Sequence, residues 1–135
     1  MNDTQLFKIS QVVGVRYIVS DVDSAVTFYT ETLGFHADLH VKSAFAGLSL
    51  GNLKLFINRP GAGGAGQAMP DGTLPAPGGW NRIQFTVDDL EMVVTHLKTK
   101  GAKFRNQIVV GVGGKQILLE DPSGNLIELF QPASQ

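Results

Sequence analysis

One pattern occurs twice in this chain, and it limits the folds available to it. Val15-Arg16-Tyr17-Ile18-Val19-Ser20-Asp21-Val22-Asp23 stands near the start, and Arg82-Ile83-Gln84-Phe85-Thr86-Val87-Asp88-Asp89-Leu90 stands after the middle. Each is an alternating strand running into an Asp-rich cap. Each cap opens an amphipathic helix that ends at a glycine, Gly34 or Gly101. Two similar units predict two similar halves, and paired halves often enclose a cavity.

In the first half, Val12–Val19 reads as a strand with Val13, Val15, Tyr17 and Val19 on its apolar face. Asp21 or Asp23 can cap the next helix by accepting otherwise unpaired N–H bonds. Val22, Ala25, Val26, Tyr29 and Leu33 form its apolar stripe. Strands are predicted near Phe35–Val41, Ala44–Leu50 and Leu53–Asn58, with a turn at Gly51-Asn52. The second half repeats this order. Arg82–Val87 is a strand, Asp88 or Asp89 caps a helix, and strands follow near Phe104–Val110, Lys115–Glu120 and Leu126–Gln131. The expectation is an α+β fold of two β-α-β-β-β modules in a single domain spanning 1–135. Module one covers about 10–58, a Gly/Pro-rich linker about 59–80, and module two about 81–132.

Composition narrows the function classes. The 135 residues are 43% hydrophobic and 17% charged, enough for a real core. A net charge of -1 argues against a general nucleic-acid or anionic-membrane surface. The absence of cysteine excludes disulfides, thiolate metal sites and a Cys nucleophile. No apolar run is long enough to span a bilayer. Met1–Lys8 lacks the order of a signal peptide, so a cytoplasmic location is expected.

The halves, their order and the phrase Glu120-Asp121-Pro122-Ser123-Gly124-Asn125-Leu126-Ile127-Glu128-Leu129 resemble the vicinal oxygen chelate superfamily. That group includes glyoxalase I, extradiol dioxygenases, and fosfomycin- and bleomycin-resistance proteins. Ser20-Asp21-Val22-Asp23, Phe28-Tyr29 and Leu33-Gly34-Phe35 carry the same resemblance. It implies the fold, a small-molecule ligand and a homodimer whose pockets are shaped partly by the partner. The fold alone does not fix the reaction.

In metal-dependent members, four strand positions supply the ligands. The resemblance maps them onto Gly14, Lys54, Arg82 and Glu128. Only Glu128 is a ligand type, whereas a catalytic Zn²⁺ needs about three protein ligands. No cofactor is therefore expected, with a divalent metal held elsewhere, by His36, His40 or Gln84, as the alternative.

Strand parity adds Arg16, Phe56, Asn58, Gln84, Thr86 and Phe130 to the cavity face, with Trp80 and Asn81 at its entrance. This set suits a small anionic or aromatic ligand. Arg82 would clamp a carboxylate or phosphate through its planar fork, and Phe56, Phe130 and Trp80 would cover an apolar body. Glu128 is a candidate base. Equally, Arg82 and Glu128 can form a buried ion pair in the metal's place. The expected function is therefore binding without chemistry. The alternative is a glyoxalase-like lyase or isomerase, favoured over a dioxygenase.

Other features read as structural. His36 and His40 share a face of their predicted strand but miss the family ligand positions, and His96 falls on the wet side of the second helix. Gly61-Ala62-Gly63-Gly64-Ala65-Gly66 looks like a phosphate loop but lacks the Gly-Lys-Ser/Thr ending. A flexible linker, able to act as a lid, is the expectation there. The Asp pairs read as helix caps, and Asp121 reads as a turn residue.

Overall fold

The computed structural model describes residues 13–134, so the reading of Met1–Lys8 lies outside the described residues. Module one runs β1 (Gly14–Ile18), α1 (Val22–Thr27), β2 (His36–Val41), β3 (Phe45–Leu50) and β4 (Leu53–Asn58). Module two runs β5 (Arg82–Thr86), α2 (Leu90–Thr99), β6 (Lys103–Phe104), β7 (Val109–Val110), β8 (Gly114–Glu120) and β9 (Leu126–Pro132). Each module forms one mixed sheet. The strand order is β1-β4-β3-β2 in the first and β5-β9-β8-β6 in the second, with β7 also on β8. In both, the first strand pairs parallel to the last, because a helix carries the chain across between them.

The caps choose between neighbouring aspartates. Asp21 accepts from Ser24 N and Asp89 accepts from Met92 N, both at 3.1 Å. Asp23 turns away to accept from Ser43 N at 3.0 Å and Ser43 Oγ at 3.1 Å. α1 continues into a π-helical turn over Phe28–Thr32. Gly34 and Gly101 end the helices at φ +83° and +81°, a backbone region that costs a side-chain-bearing residue energy.

Three strand expectations need correction. β1 begins after Val13 and ends at Ile18, before the predicted Val19, and Val13 is 68% exposed rather than on a buried face; Val12 lies outside the described residues. The predicted strand Phe104–Val110 is two short pieces, because Arg105 N donates to Leu118 O while Leu118 N is taken by the Asn106 side chain. On β2, a bulge between Ala37 and Leu39 breaks the alternation. His36 stands opposite Ser49 and His40 opposite Ala46, so the two histidines face opposite sides.

One apolar core spans both modules. Val19, Ala25, Tyr29, Leu48, Leu55 and Ile57 from the first pack with Leu90, Leu119, Ile127 and Leu129 from the second. The edge-on aromatic chain Tyr29–Phe35–Phe85 crosses between them. Polar clasps join the same seam. Tyr17 Oη donates to Leu126 O at 2.8 Å and accepts from Ile83 N at 2.9 Å. Tyr29 Oη donates to Asp121 Oδ2 at 2.9 Å. Asp121 is more than the turn residue expected: its carboxylate also accepts from Ser123 N, Asn125 N and Asn125 Nδ2. Burial beside it pushes the Tyr29 hydroxyl well above its ordinary pKa, so that group stays a donor.

Candidate functional site

Alternation puts Leu55 and Ile57 into the core, so Lys54, Phe56 and Asn58 stand on the other face of β4. Their β1 partners are Gly14, Arg16 and Ile18. Above this face lies an open groove of about 750 Å³. Leu39, Phe45 and Phe56 give it apolar walls, and Arg16, Lys54 and Asp38 give it charge.

Phe56 organises the floor. A Cβ on Gly14 would lie 2.4 Å from Phe56 Cε2, and one on Gly47 would lie 3.7 Å from Phe56 Cδ1. The ring therefore rests in a slot that two glycines leave open. The Arg16 guanidinium lies 5.2 Å from the ring centroid, within cation–π range. Arg16 Nη1 donates to Asn58 Oδ1. Asn58 is 3% exposed, and its Nδ2 donates to Ala62 O at 3.3 Å. A neutral amide thus fixes the guanidinium. Among the described residues no carboxylate pairs with Arg16, so its charge is uncompensated.

Lys54 differs. Its Nζ meets Asp38 Oδ2 at 2.8 Å, and Asp38 Oδ1 meets His36 Nδ1 at 2.9 Å and Ser49 Oγ at 3.1 Å. The Lys54 bond, then the His36 bond, hold the Asp38 carboxyl down at about 2. Asp38 was not among the residues singled out in the sequence, although it shares strand parity with His36; its bond to Lys54 depends on how β2 lies beside β3 and β4.

The other candidate residues sit in module two. Arg82 Nε donates to Glu128 Oε1 at 2.9 Å, and Gln84 Nε2 donates to Glu128 Oε2 at 2.7 Å. Arg82 Nη1 also donates to Trp80 O at 3.3 Å. Glu128 is 5% exposed, and both its oxygens are engaged. This is the ion-pair arrangement, not a free clamp. Arg82, Gln84, Glu128 and Phe130 do not line the module-one groove. Trp80 and Asn81 do not line it either; Trp80 is 70% exposed beside Arg105.

The two modules correspond residue by residue. Arg16 pairs with Phe56 five positions before the cap Asp21, and Gln84 pairs with Glu128 five positions before the cap Asp89. The module-one counterpart of Glu128 is therefore Phe56, two residues beyond Lys54. Where module two holds Arg82 against Glu128, module one holds Gly14 against Phe56.

Among the described residues, no three His, Asp or Glu side chains gather to hold a metal ion. The alternative donors are dispersed. His36 is on Asp38, His40 is on Asp23 across the sheet, Gln84 is on Glu128, and His96 is exposed on α2.

The Gly61–Gly66 stretch is a compact turn rather than a loose linker. Gly66 N donates to Ala62 O at 3.0 Å, and a Cβ at Gly66 would lie 2.4 Å from both Ala62 O and Arg59 O. Gly63, Gly64 and Ala65 form one wall of the groove. No helix among the described residues is long and apolar enough to cross a membrane.

Comparison with known proteins agrees with this fold. A superfamily member from Sphaerobacter thermophilus matches at TM-score 0.72 and 23% identity, over 93% of this chain and 99% of that one. TnmS3, an antibiotic binding protein from Streptomyces sp. CB03234, matches at TM-score 0.69 and 25% identity, over 94% and 99%. Lactoylglutathione lyase from Agrobacterium tumefaciens matches at TM-score 0.70 and 19% identity, over 90% and 93%. The family model for the glyoxalase/bleomycin resistance protein/dioxygenase superfamily matches residues 8–129, and the chain belongs to that superfamily.

Proposed function

We propose that this protein binds a small organic anion with an aromatic or apolar body, in a pocket that uses no metal. One observation carries the reading. Arg16 is a cation with no carboxylate partner among the described residues, stacked on Phe56 and fixed by buried Asn58 at the head of a large groove. An uncompensated guanidinium beside apolar walls favours an anionic head with a flat body. The resemblance to an antibiotic binding protein supports binding without turnover.

The residues do not fit a catalytic metal. Gly14 offers no donor, and Phe56 fills the space in front of it. Lys54 and Arg82 are cations already bonded to Asp38 and Glu128. A glyoxalase-like lyase or isomerase using Glu128 as base is the less favoured reading. Glu128 is nearly buried and carries a hydrogen bond on each oxygen, from Arg82 and Gln84, and both bonds favour the charged carboxylate over the protonated form a base must reach.

A homodimer is part of the proposal. The groove draws its lining from module one and the linker alone, while the Arg82–Gln84–Phe130 face of module two closes no part of it. A second copy would complete the pocket by laying that face over the groove.

Titration calorimetry with a panel of aromatic carboxylates and phosphates tests the reading, run on wild type, Arg16→Gln and Glu128→Gln. Losing a charge-assisted contact of about 1.5–3 kcal/mol should weaken binding about 10- to 100-fold in Arg16→Gln. Unchanged affinity in Arg16→Gln, or a reaction abolished by Glu128→Gln, would defeat it.

A further inference from the structure

The Gly61–Gly66 turn has a role that the anion-binding reading does not require. The Ala62 carbonyl accepts from Asn58, the same side chain that holds Arg16, so the turn is fixed to the guanidinium through one buried amide. Its hydrogen bonds are made by Gly61 N to Gly66 O, Ala62 N to Arg59 O, Gly66 N to Ala62 O and Gln67 N to Gly64 O. The three N–H groups between them, on Gly63, Gly64 and Ala65, donate to no protein atom among the described residues. Those three residues line the same groove as Arg16 and Asn58. Gly63 sits at φ +62°, and a Cβ there would lie 3.1 Å from Asn58 Nδ2, so the chain needs glycine to come this close.

We infer that Arg16 and the Gly63–Ala65 backbone together form a subsite for a tetrahedral oxyanion, and that the ligand is a phosphate or phosphonate carried on an aromatic or apolar body. The inference deepens the anion-binding reading and rests on it. Donor number decides the head group. A carboxylate has two oxygens, and the guanidinium fork alone can satisfy both. Three further N–H donors suit a group with a third oxygen and a second negative charge, as in backbone anion sites elsewhere. No magnesium-binding Ser/Thr or Lys of a nucleotide loop is present, so the head group would be held by amides and Arg16 alone.

The test compares two probes with the same ring and different heads, phenyl phosphate and benzoate. Both are titrated into wild type, Arg16→Gln and Ala65→Pro. Ala65→Pro removes one of the three N–H groups at a residue whose φ is not positive. Wild type should bind phenyl phosphate about tenfold more tightly than benzoate, the size of one charge-assisted hydrogen bond. Ala65→Pro should remove most of that preference by weakening phenyl phosphate about tenfold more than it weakens benzoate. Arg16→Gln should weaken both probes. Amide NMR on wild type needs no variant: the Gly63, Gly64 and Ala65 protons should move downfield together as phenyl phosphate saturates. Equal affinity for the two heads, or static loop amides, overturns the subsite while Arg16-dependent binding keeps the broader reading. No binding of either probe overturns both.

Discussion

Gly14→Ala tests the floor of the groove most sharply, because local and tertiary effects have opposite signs. Gly14 lies in β1, and its φ is not positive. In isolation the added methyl should stabilise by about 0.5–1 kcal/mol, since alanine loses less conformational freedom on folding. The structure reverses that sign. The new Cβ would lie 2.4 Å from Phe56 Cε2 and 3.0 Å from Cδ2, closer than such atoms approach. The ring must leave its slot between Gly14 and Gly47 and give up the Arg16 stack, worth about 0.5–1 kcal/mol. Overpacking adds about 1–3 kcal/mol. Net destabilisation should be about 1–3 kcal/mol, or roughly 3–10 °C in Tm for a chain of this size. In a Phe56→Ala background the same substitution should be neutral or stabilising. Urea unfolding of the four proteins gives the coupling directly. Equal costs in both backgrounds would refute the slot and, with it, the placement of Arg16.

Other outcomes follow from the same geometry. Asp38→Asn should free Lys54 as a second cation at the groove and tighten binding of an aromatic anion several-fold; an unchanged Kd would show that Lys54 does not reach the ligand. Asp38 is held down at about 2, below the unfolded carboxylate. The Lys54 pairing should therefore be fully present above the unfolded pKa of about 4 and be lost only as pH falls through about 2, which carboxyl NMR titration reads. Tyr29→Phe leaves buried Asp121 with one donor fewer and should cost about 1–3 kcal/mol by urea unfolding. Asp89→Ala removes the α2 cap and should cost about 1 kcal/mol, whereas Asp88→Ala should cost almost nothing.

The repeat carried most of the fold. Strand parity along Leu53–Asn58 and Arg82–Thr86, the caps before each helix and the terminating glycines were all legible, because period and capping are local properties. The site was legible only as a set of residue types. Parity put Arg16, Phe56 and Asn58 on one face, and the structure gathers them there. Parity could not see the bulge that sends His36 and His40 to opposite faces and sets Leu39 opposite Gly47 in the groove. It could not register β4 against β1, which makes Phe56 rather than Lys54 the counterpart of Glu128. Nor could composition distinguish a loose Gly-rich linker from a turn fixed to Asn58 by one hydrogen bond. Each of these depends on contacts between segments far apart in the chain. Arg82 shows the same point from the other side: an arginine on the cavity face was equally consistent with a ligand clamp and an ion pair, and only the structure shows its 2.9 Å contact to Glu128.

The central claim is an anion pocket that works without metal, and thermal unfolding of chelator-treated protein tests it most directly. A ligand present at about 100 times its Kd stabilises the native state by about 2.7 kcal/mol, a shift of several degrees. The account predicts that shift with an aromatic phosphate or carboxylate in the presence of chelator, its loss in Arg16→Gln, and no shift with Zn²⁺, Ni²⁺, Mn²⁺ or Fe²⁺. Specific stabilisation by one of those metals at one ion per chain, with no response to the anions, would contradict it.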